Sequence, residues 1–284
     1  MWPRGKVSGL WRRCASTHPS EYGKIVKLLV REPSRARLNE GIVTHQARVL
    51  IDTDLALAQW EQYLKVISGF TQCEVVRIPG GEDLPDGVFV EDVMVSVGSA
   101  AVVTNPGNES RKLEVPHALS TLQRVHRGRI HSIVGPGTLD GGDVLIVPPL
   151  RTAFVGLSAR TNAAGIAQFG EFTRLQGLKT ISVPITKVLH LKSALTALPT
   201  GQLIGWLDGL DAASTSVLPS VLAMPEEQGA HVVVLDHHTL ILSAAAPRSA
   251  ELLTKMGYNV LTVNISEFEK LDGCVTCLSM RIRK

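Results

Sequence analysis

No run of apolar residues in this chain approaches the roughly 20 needed to span a bilayer as a helix. A membrane is therefore not an expected partner. There is no long basic stripe with interleaved aromatics, and the net charge is only +3, which argues against nucleic acid as a ligand. The four cysteines (Cys14, Cys73, Cys274, Cys277) are scattered apart from the last pair, so they form no disulfide framework and point to a reducing compartment. Neither a second CxxC nor an HxxxH is present to complete a zinc site around Cys274 and Cys277. No linker or low-complexity stretch divides the chain.

What is present is ample material for a core. Of 284 residues, 44% are hydrophobic and 19% charged, the balance of an ordered globular chain. The first twenty residues carry Arg4, Lys6, Arg12 and Arg13 and no acid before Glu21. This basic N-terminal extension, residues 1–23, reads either as a disordered tail or as an organelle transit segment. Cytoplasmic residence is the first expectation, and a mitochondrial one the alternative.

From Lys24 onward strand-like and helix-like runs alternate. Strands are expected at 24–30, 74–78, 88–95, 100–103 and 130–134. Val144–Val147 and Thr152–Val155 should pair as a hairpin, and further strands are expected at 180–183, 203–206, 232–235, 240–242, 260–263 and 275–282. Helical spacing marks 54–68, where Leu55, Leu57, Trp60, Leu64 and Ile67 recur on one face, then 111–125, 161–175 and 247–256. Two strands, a helix and another strand, about five times over, predict an internally repeated α/β fold. Residues 24–284 read as a single domain with a cleft where the units meet.

Several stretches carry chemistry beyond this scaffold. Leu271–Ser279 sets two cysteines at a turn after a helix-like run, and Cys277 is the candidate nucleophile. A redox CxxC ordinarily opens a helix, whose N-terminus lowers the thiol pKa, whereas these flanks read as turn and strand. A buried structural cysteine is the plain alternative. His190 lies between leucines, in a setting more often occupied by a core histidine than by a catalyst. Thr138–Val144 places Asp140 and Asp143 around Gly141-Gly142, which is either a tight turn or a device for bringing backbone close to a substrate. Leu84–Asp92 holds Asp86, Glu91 and Asp92 within seven residues. Converging carboxylates suit a planar cation such as a guanidinium. Arg111 and Arg160 are either solvated charges or holders of a substrate carboxylate.

Taken together, six segments in order resemble the dimethylarginine dimethylaminohydrolases, members of the guanidino-modifying superfamily that includes arginine deiminases and amidinotransferases. They are LPDxVFVED (84–92), NPGxESR (105–111), TLDGGDV (138–144), GLSARTN (156–162), KVLHLKS (187–193) and DGxVTCxS (272–279). The resemblance implies a five-bladed α/β propeller (pentein). It implies Cys277 as nucleophile, His190 as general acid and base, and Asp140 as the acid that orients His190. It places Asp86 and Asp92 on the substrate guanidinium with Glu91 beside them, Arg111 and Arg160 at the amino-acid end, and the Leu271 backbone in contact with substrate. Ile42 is the apolar contact from a lid loop over 35–42.

Lys192 stands where deiminases and amidinotransferases carry an aspartate, which favours the dimethylaminohydrolase branch. Asn105 and Lys112-Leu113 depart from the family pattern. The implied reaction converts asymmetric dimethylarginine or monomethylarginine to citrulline and an amine, through a cysteine thiouronium and with no cofactor. Zinc at the Cys277/His190 pair would act as an inhibitor. The alternatives are a deiminase-type hydrolase of another guanidine and a non-catalytic binding propeller. The expected partner is a small-molecule substrate, and the chain a monomer or homodimer.

Overall fold

The computed structural model describes residues 22–284, so the basic extension, apart from Tyr22 and Gly23, lies outside the described residues. The chain opens with β1 (Ile25–Val30), α1 (Thr53–Thr71) and β2 (Glu74–Arg77). Four strand–strand–helix–strand units follow. The first is β3 (Met94–Val97), β4 (Ala100–Val103), α2 (Val115–Val125) and β5 (Ile130–Ser132). The second is β6 (Val144–Val147), β7 (Thr152–Leu157), α3 (Ala163–Leu175) and β8 (Lys179–Pro184). The third is β9 (Leu195–Ala197), β10 (Leu203–Gly205), α4 (Ala212–Val217) and β11 (Val221–Ala223). The fourth is β12 (Val233–Val234), β13 (Thr239–Ser243), α5 (Pro247–Lys255) and β14 (Asn259–Val263). A one-turn α6 (Ser266–Glu269) and β15 (Met280–Arg283) end the chain.

Each unit forms a three-stranded sheet with the same wiring. The first two strands pair antiparallel, and the helix carries the chain across to a third strand parallel to the second. A parallel pair needs such a crossover, because a tight turn cannot reverse the chain twice. The opening β1–α1–β2 segment lacks a leading strand, and β15 supplies it: Ile282 pairs with Lys27 antiparallel while β1 pairs parallel with β2. The five sheets are thereby closed into a five-unit α/β propeller, and the turn just before β15 is drawn against the β1–α1–β2 segment. Hydrophobic clusters fill the spaces between neighbouring units, one joining Leu29, Met94, Ala101, Leu122 and Met280.

Local sequence explains the helices. Asp52 caps α1 by accepting from Leu55 N at 3.0 Å. Ala56, Leu57, Trp60, Tyr63, Leu64 and Ile67 form its buried stripe, and Gln72, at φ 53°, ends it in the left-handed region. Asn162 caps α3 in the same way, accepting from Gly165 N at 2.8 Å. Among the described residues no helix is long and apolar enough to cross a membrane.

Three expectations need correction. The strand expected over 88–95 is instead a 3-10 turn at Val90–Val93, and β3 begins only at Met94. A strand would send the adjacent Glu91 and Asp92 to opposite faces. The turn buries both, and each has its own buried cation. The last strand starts at Met280, not Val275: a turn closed by Cys277 N donating to Cys274 O at 3.1 Å occupies the β-branched stretch before it. The helix expected over 111–125 is a 3-10 segment at Glu109–Glu114 followed by α2, which has Pro116 in its first turn. The short β9, α4 and β11 were not anticipated, since three-residue strands offer no period to read.

Candidate active site

The turn bearing Cys277 is held from three sides. The fully buried Tyr63 of α1 donates its hydroxyl to Val275 O at 2.9 Å and shares a hydrogen bond of 2.6 Å with Ser279 Oγ. Arg281 donates to Thr276 O at 3.0 Å and to Ser279 O at 2.7 Å. Glu91 N donates to Cys277 O at 3.2 Å, tying the turn to the acidic segment. The bend into the turn uses Asp272 at φ 55° and Gly273, where a Cβ would stand 2.5 Å from the Phe89 ring.

Across the pocket, His190 Nε2 lies 3.0 Å from Asp140 Oδ2, and its Nδ1 lies 3.7 Å from Asp92 Oδ1. Asp140 is itself fixed, accepting from Gly107 N at 2.9 Å. Asp143 positions the histidine's loop by accepting from Leu191 N at 2.9 Å, while its other oxygen accepts from Ser158 and Thr161 hydroxyls at 2.7 and 2.6 Å. At the paired glycines backbone lies close to two candidate site side chains. A Cβ on Gly142 would meet His190 Nδ1 at 2.5 Å and Asp92 Oδ1 at 2.7 Å, and Gly142 N donates to Asp92 Oδ1 at 3.0 Å. Burial alone would lower the pKa of His190. The Asp92 charge, the hydrogen bond with Asp140 and the charges of Asp143 and Asp140 outweigh it and raise the pKa to about 9.

Twelve residues line the resulting cavity: Ile42, Asp86, Phe89, Asp92, Arg111, Arg160, Leu189, His190, Leu271, Asp272, Gly273 and Cys277. Every expected site residue is there except Asp140, which stands behind His190, and Glu91. The Asp92 carboxylate is held below its usual range. Burial opposes this, and His190 and Arg111 overcome it. Asp86 is raised, chiefly by burial. Arg160 Nη1 stands 3.7 Å from Asp140 Oδ2.

Arg111 is not free in this state. It pairs with Asp92 and also grips Glu114 through two bonds of 2.7 and 2.8 Å, and it donates to Phe89 O at 3.0 Å. Glu114 and Asp143 are thus site residues that the sequence reading assigned no role. The second acid of TLDGGDV was the available signal for Asp143.

Glu91 faces away. Its carboxylate meets Lys192 Nζ at 2.7 Å and Arg281 at 2.6 Å, on the side of a roomier cavity of about 310 Å³ lined largely by strand residues. The adjacent acids of the 3-10 turn thus line two different cavities. Neither cysteine nor histidine lines the larger cavity. Among the described residues, the group that could hold a metal is Asp92, Asp140 and His190, with ligand atoms within 4.8 Å of one another. Cys277 is not part of that group, and both ring nitrogens of His190 face carboxylates.

The two sulfurs are in contact, with Cys274 Sγ 3.3 Å from Cys277 Sγ and 3.2 Å from Thr276 Oγ1. The Cys277 thiol is pushed up by that hydrogen bond, then by burial, the charge of Cys274 and the Asp92 and Glu91 carboxylates. A loop covers the site: Ile42 N donates to Asp86 Oδ1 at 2.9 Å, and Thr44 N and His45 N donate to Asp272 Oδ2 at 2.7 and 3.0 Å. Under it the free volume is only about 20 Å³, far below the roughly 300 Å³ or more of a ligand pocket. A substrate therefore needs the loop to lift.

No family model matches the chain. It is 45% identical over 258 residues to an N(G),N(G)-dimethylarginine dimethylaminohydrolase of Streptomyces coelicolor, covering 91% of this chain and 97% of that one. The Pseudomonas aeruginosa enzyme of the same name is 31% identical over 255 residues, covering 89% and 98%. A solved structure of the P. aeruginosa protein, a cysteine-to-serine variant complexed with citrulline, superposes with a TM-score of 0.81 at 31% identity, over 91% of this chain and all of that one. The N-terminal domain of a cyanobacterial arginine dihydrolase superposes with a TM-score of 0.80 at 16% identity, a likeness of fold alone.

Proposed function

The chain belongs to the dimethylarginine dimethylaminohydrolase family, and on that premise we propose that it hydrolyses asymmetric dimethylarginine and monomethylarginine to citrulline and the corresponding methylamine. The observation that carries the reading is the convergence of Cys277, His190, Asp86, Asp92 and Arg160 on one buried cavity. Residues 24–284 act as one catalytic domain, and the cytoplasm, a reducing compartment, suits its thiol.

A guanidinium is a poor electrophile because its charge is delocalised. Asp92 and Asp86 hold it in one orientation and place its carbon over the Cys277 sulfur. The guanidinium of Arg111 pairs with Asp92, as an internal stand-in for the substrate's. An arriving substrate competes for that carboxylate and for Asp86, which the Ile42 amide now holds. Arg111, once displaced, joins Arg160 at the substrate carboxylate.

The Cys274 hydrogen bond, burial and nearby negative charges keep Cys277 protonated; the bound cation offsets the Asp92 charge among them, so the thiolate forms when substrate is present. Its attack gives a tetrahedral adduct. His190, protonated at neutral pH, gives its proton to the departing dimethylamine and leaves a thiouronium on Cys277. The now neutral imidazole takes a proton from water. The hydroxide adds to the same carbon, and the thiolate leaves as citrulline forms. Asp140 keeps the ring in place through both steps. No step calls for a cofactor.

A deiminase-type reading fits less well, because Lys192 supplies no carboxylate and its ammonium is spent on Glu91. The deciding experiment is citrulline formation from asymmetric dimethylarginine, monomethylarginine and arginine, with Cys277→Ser as control. Product from the methylated substrates only, absent in the control, is expected. Product from arginine would move the chain to the deiminases, and no product from any substrate would leave a binding protein.

A further inference from the structure

Cys274 has no part in the reaction above, yet its sulfur touches the nucleophile. The turn closed by Cys277 N on Cys274 O brings the two Cα atoms within about 7 Å, which overlaps the span a disulfide bridges, about 4.4–6.8 Å. From 3.3 Å, the sulfurs need approach by little more than an ångström to reach the ~2.05 Å of a disulfide bond. Such a movement lies within the reach of side-chain rotation. The two sulfurs differ in access: Cys277 lines the cavity and Cys274 does not.

We propose that Cys274 and Cys277 form a redox pair in which a peroxide small enough for the active site oxidises Cys277, and Cys274 then closes a disulfide that removes the nucleophile until a thiol reduces it. The loss of activity rests on the reading of Cys277 as nucleophile; the crosslink does not.

The chemistry balances. Cys277 passes its thiol proton to the Cys274 sulfur it touches and attacks the terminal peroxide oxygen; the O–O bond breaks, and the departing oxygen takes that proton from Cys274 and leaves as water or an alcohol. Cys277 then carries S–OH. Cys274 thiolate attacks that sulfur and the S–O bond breaks, the hydroxide leaving as water with a proton from solvent. Two thiols have lost two electrons and the peroxide has gained two. The hydrogen bond from Cys277 holds Cys274 toward its thiolate, which suits a resolving sulfur. Without a resolving partner the sulfenic acid is open to further oxidation, which thiols do not reverse. Cys274 thus protects Cys277 as well as silencing it.

The test treats the full chain with hydrogen peroxide, alkylates free thiols, and digests with trypsin. Both cysteines fall in the peptide 271–281, between Lys270 and Arg281. In wild-type protein this peptide is expected to be two hydrogens lighter and unalkylated, with activity lost in step and regained after dithiothreitol. In Cys274→Ser, scored against its own untreated activity, loss is expected to become irreversible. Fragment ions should then place two added oxygens on Cys277 rather than on Met280. Absence of the crosslink while Cys277→Ser remains inactive would overturn the pair and leave the nucleophile standing. A complete crosslink with undiminished activity would overturn the switch by removing Cys277 from the reaction.

Discussion

Gly142→Ala is expected to lower turnover about 100-fold while leaving the protein folded. The added methyl would stand 2.5 Å from His190 Nδ1 and 2.7 Å from Asp92 Oδ1, against an ordinary contact of about 3.5 Å or more. Neither neighbour can yield freely. His190 is held by Asp140 at 3.0 Å, and Asp92 by Arg111 and by Gly142's own amide. About 1 Å of displacement must therefore fall on the acid–base group, the guanidinium binder, or both. A misplacement of that size costs on the order of 10²-fold in rate, about 2.7 kcal/mol of barrier. The overpacking itself should destabilise the fold by roughly 1–3 kcal/mol, which a thermal melt would show. The assay is citrulline formation from asymmetric dimethylarginine, with Gly69→Ala as control. Gly69 lies in α1 with nothing near its Cβ position, so alanine there should leave activity alone and stabilise slightly. Activity of Gly142→Ala within threefold of wild type would refute the claim that this glycine sets the spacing between His190 and Asp92.

His190 also makes stability depend on pH. Its folded value of about 9 exceeds the roughly 6.5 of a free histidine, so its contribution is complete below about 6.5 and lost as pH rises through 9. The gap in thermal midpoint between wild type and His190→Gln should narrow over that window, and a constant or widening gap would contradict the assigned charge. Asp92→Asn should cripple citrulline formation far more than Glu91→Gln. The Glu91 change should act mainly on stability, since it strips the buried Lys192 and Arg281 of their shared carboxylate; the reverse order of activity losses would reject this division. Tyr63→Phe removes the hydroxyl bonds to Val275 and Ser279, which should cost about 1–3 kcal/mol by denaturant unfolding and reduce turnover by loosening the Cys277 turn. Unchanged stability and rate would show that the turn holds itself.

Much of this was legible in one dimension. The helix observed over 53–71 was legible over 54–68 because an amphipathic stripe repeats every few residues, and the hairpin of β6 and β7 was legible in the runs 144–147 and 152–155. The candidate site was readable because its residues travel in short motifs whose order survives without coordinates. The misreadings have a common origin. Val88–Val95 and Val275–Ile282 have strand composition, but their backbone bends to meet partners far away in sequence: Arg111 and Gly142 for Asp92, Tyr63 and Arg281 for the Cys277 turn. Propensity is local and weak, and tertiary contacts of several kcal/mol override it.

The sequence by itself thus determined the repeated α/β architecture and named the candidate nucleophile, its proposed acid–base partner and the class of cation proposed for them. Only the tertiary structure decided how neighbouring residues divide their work. It sent Asp92 to the active cavity and Glu91 to the other, bound Arg111 to Asp92, and set Cys274 against Cys277. The physical reason is that a buried charge or thiol takes its character from the groups packed around it, and those groups come from segments that only the closed ring of sheets brings together.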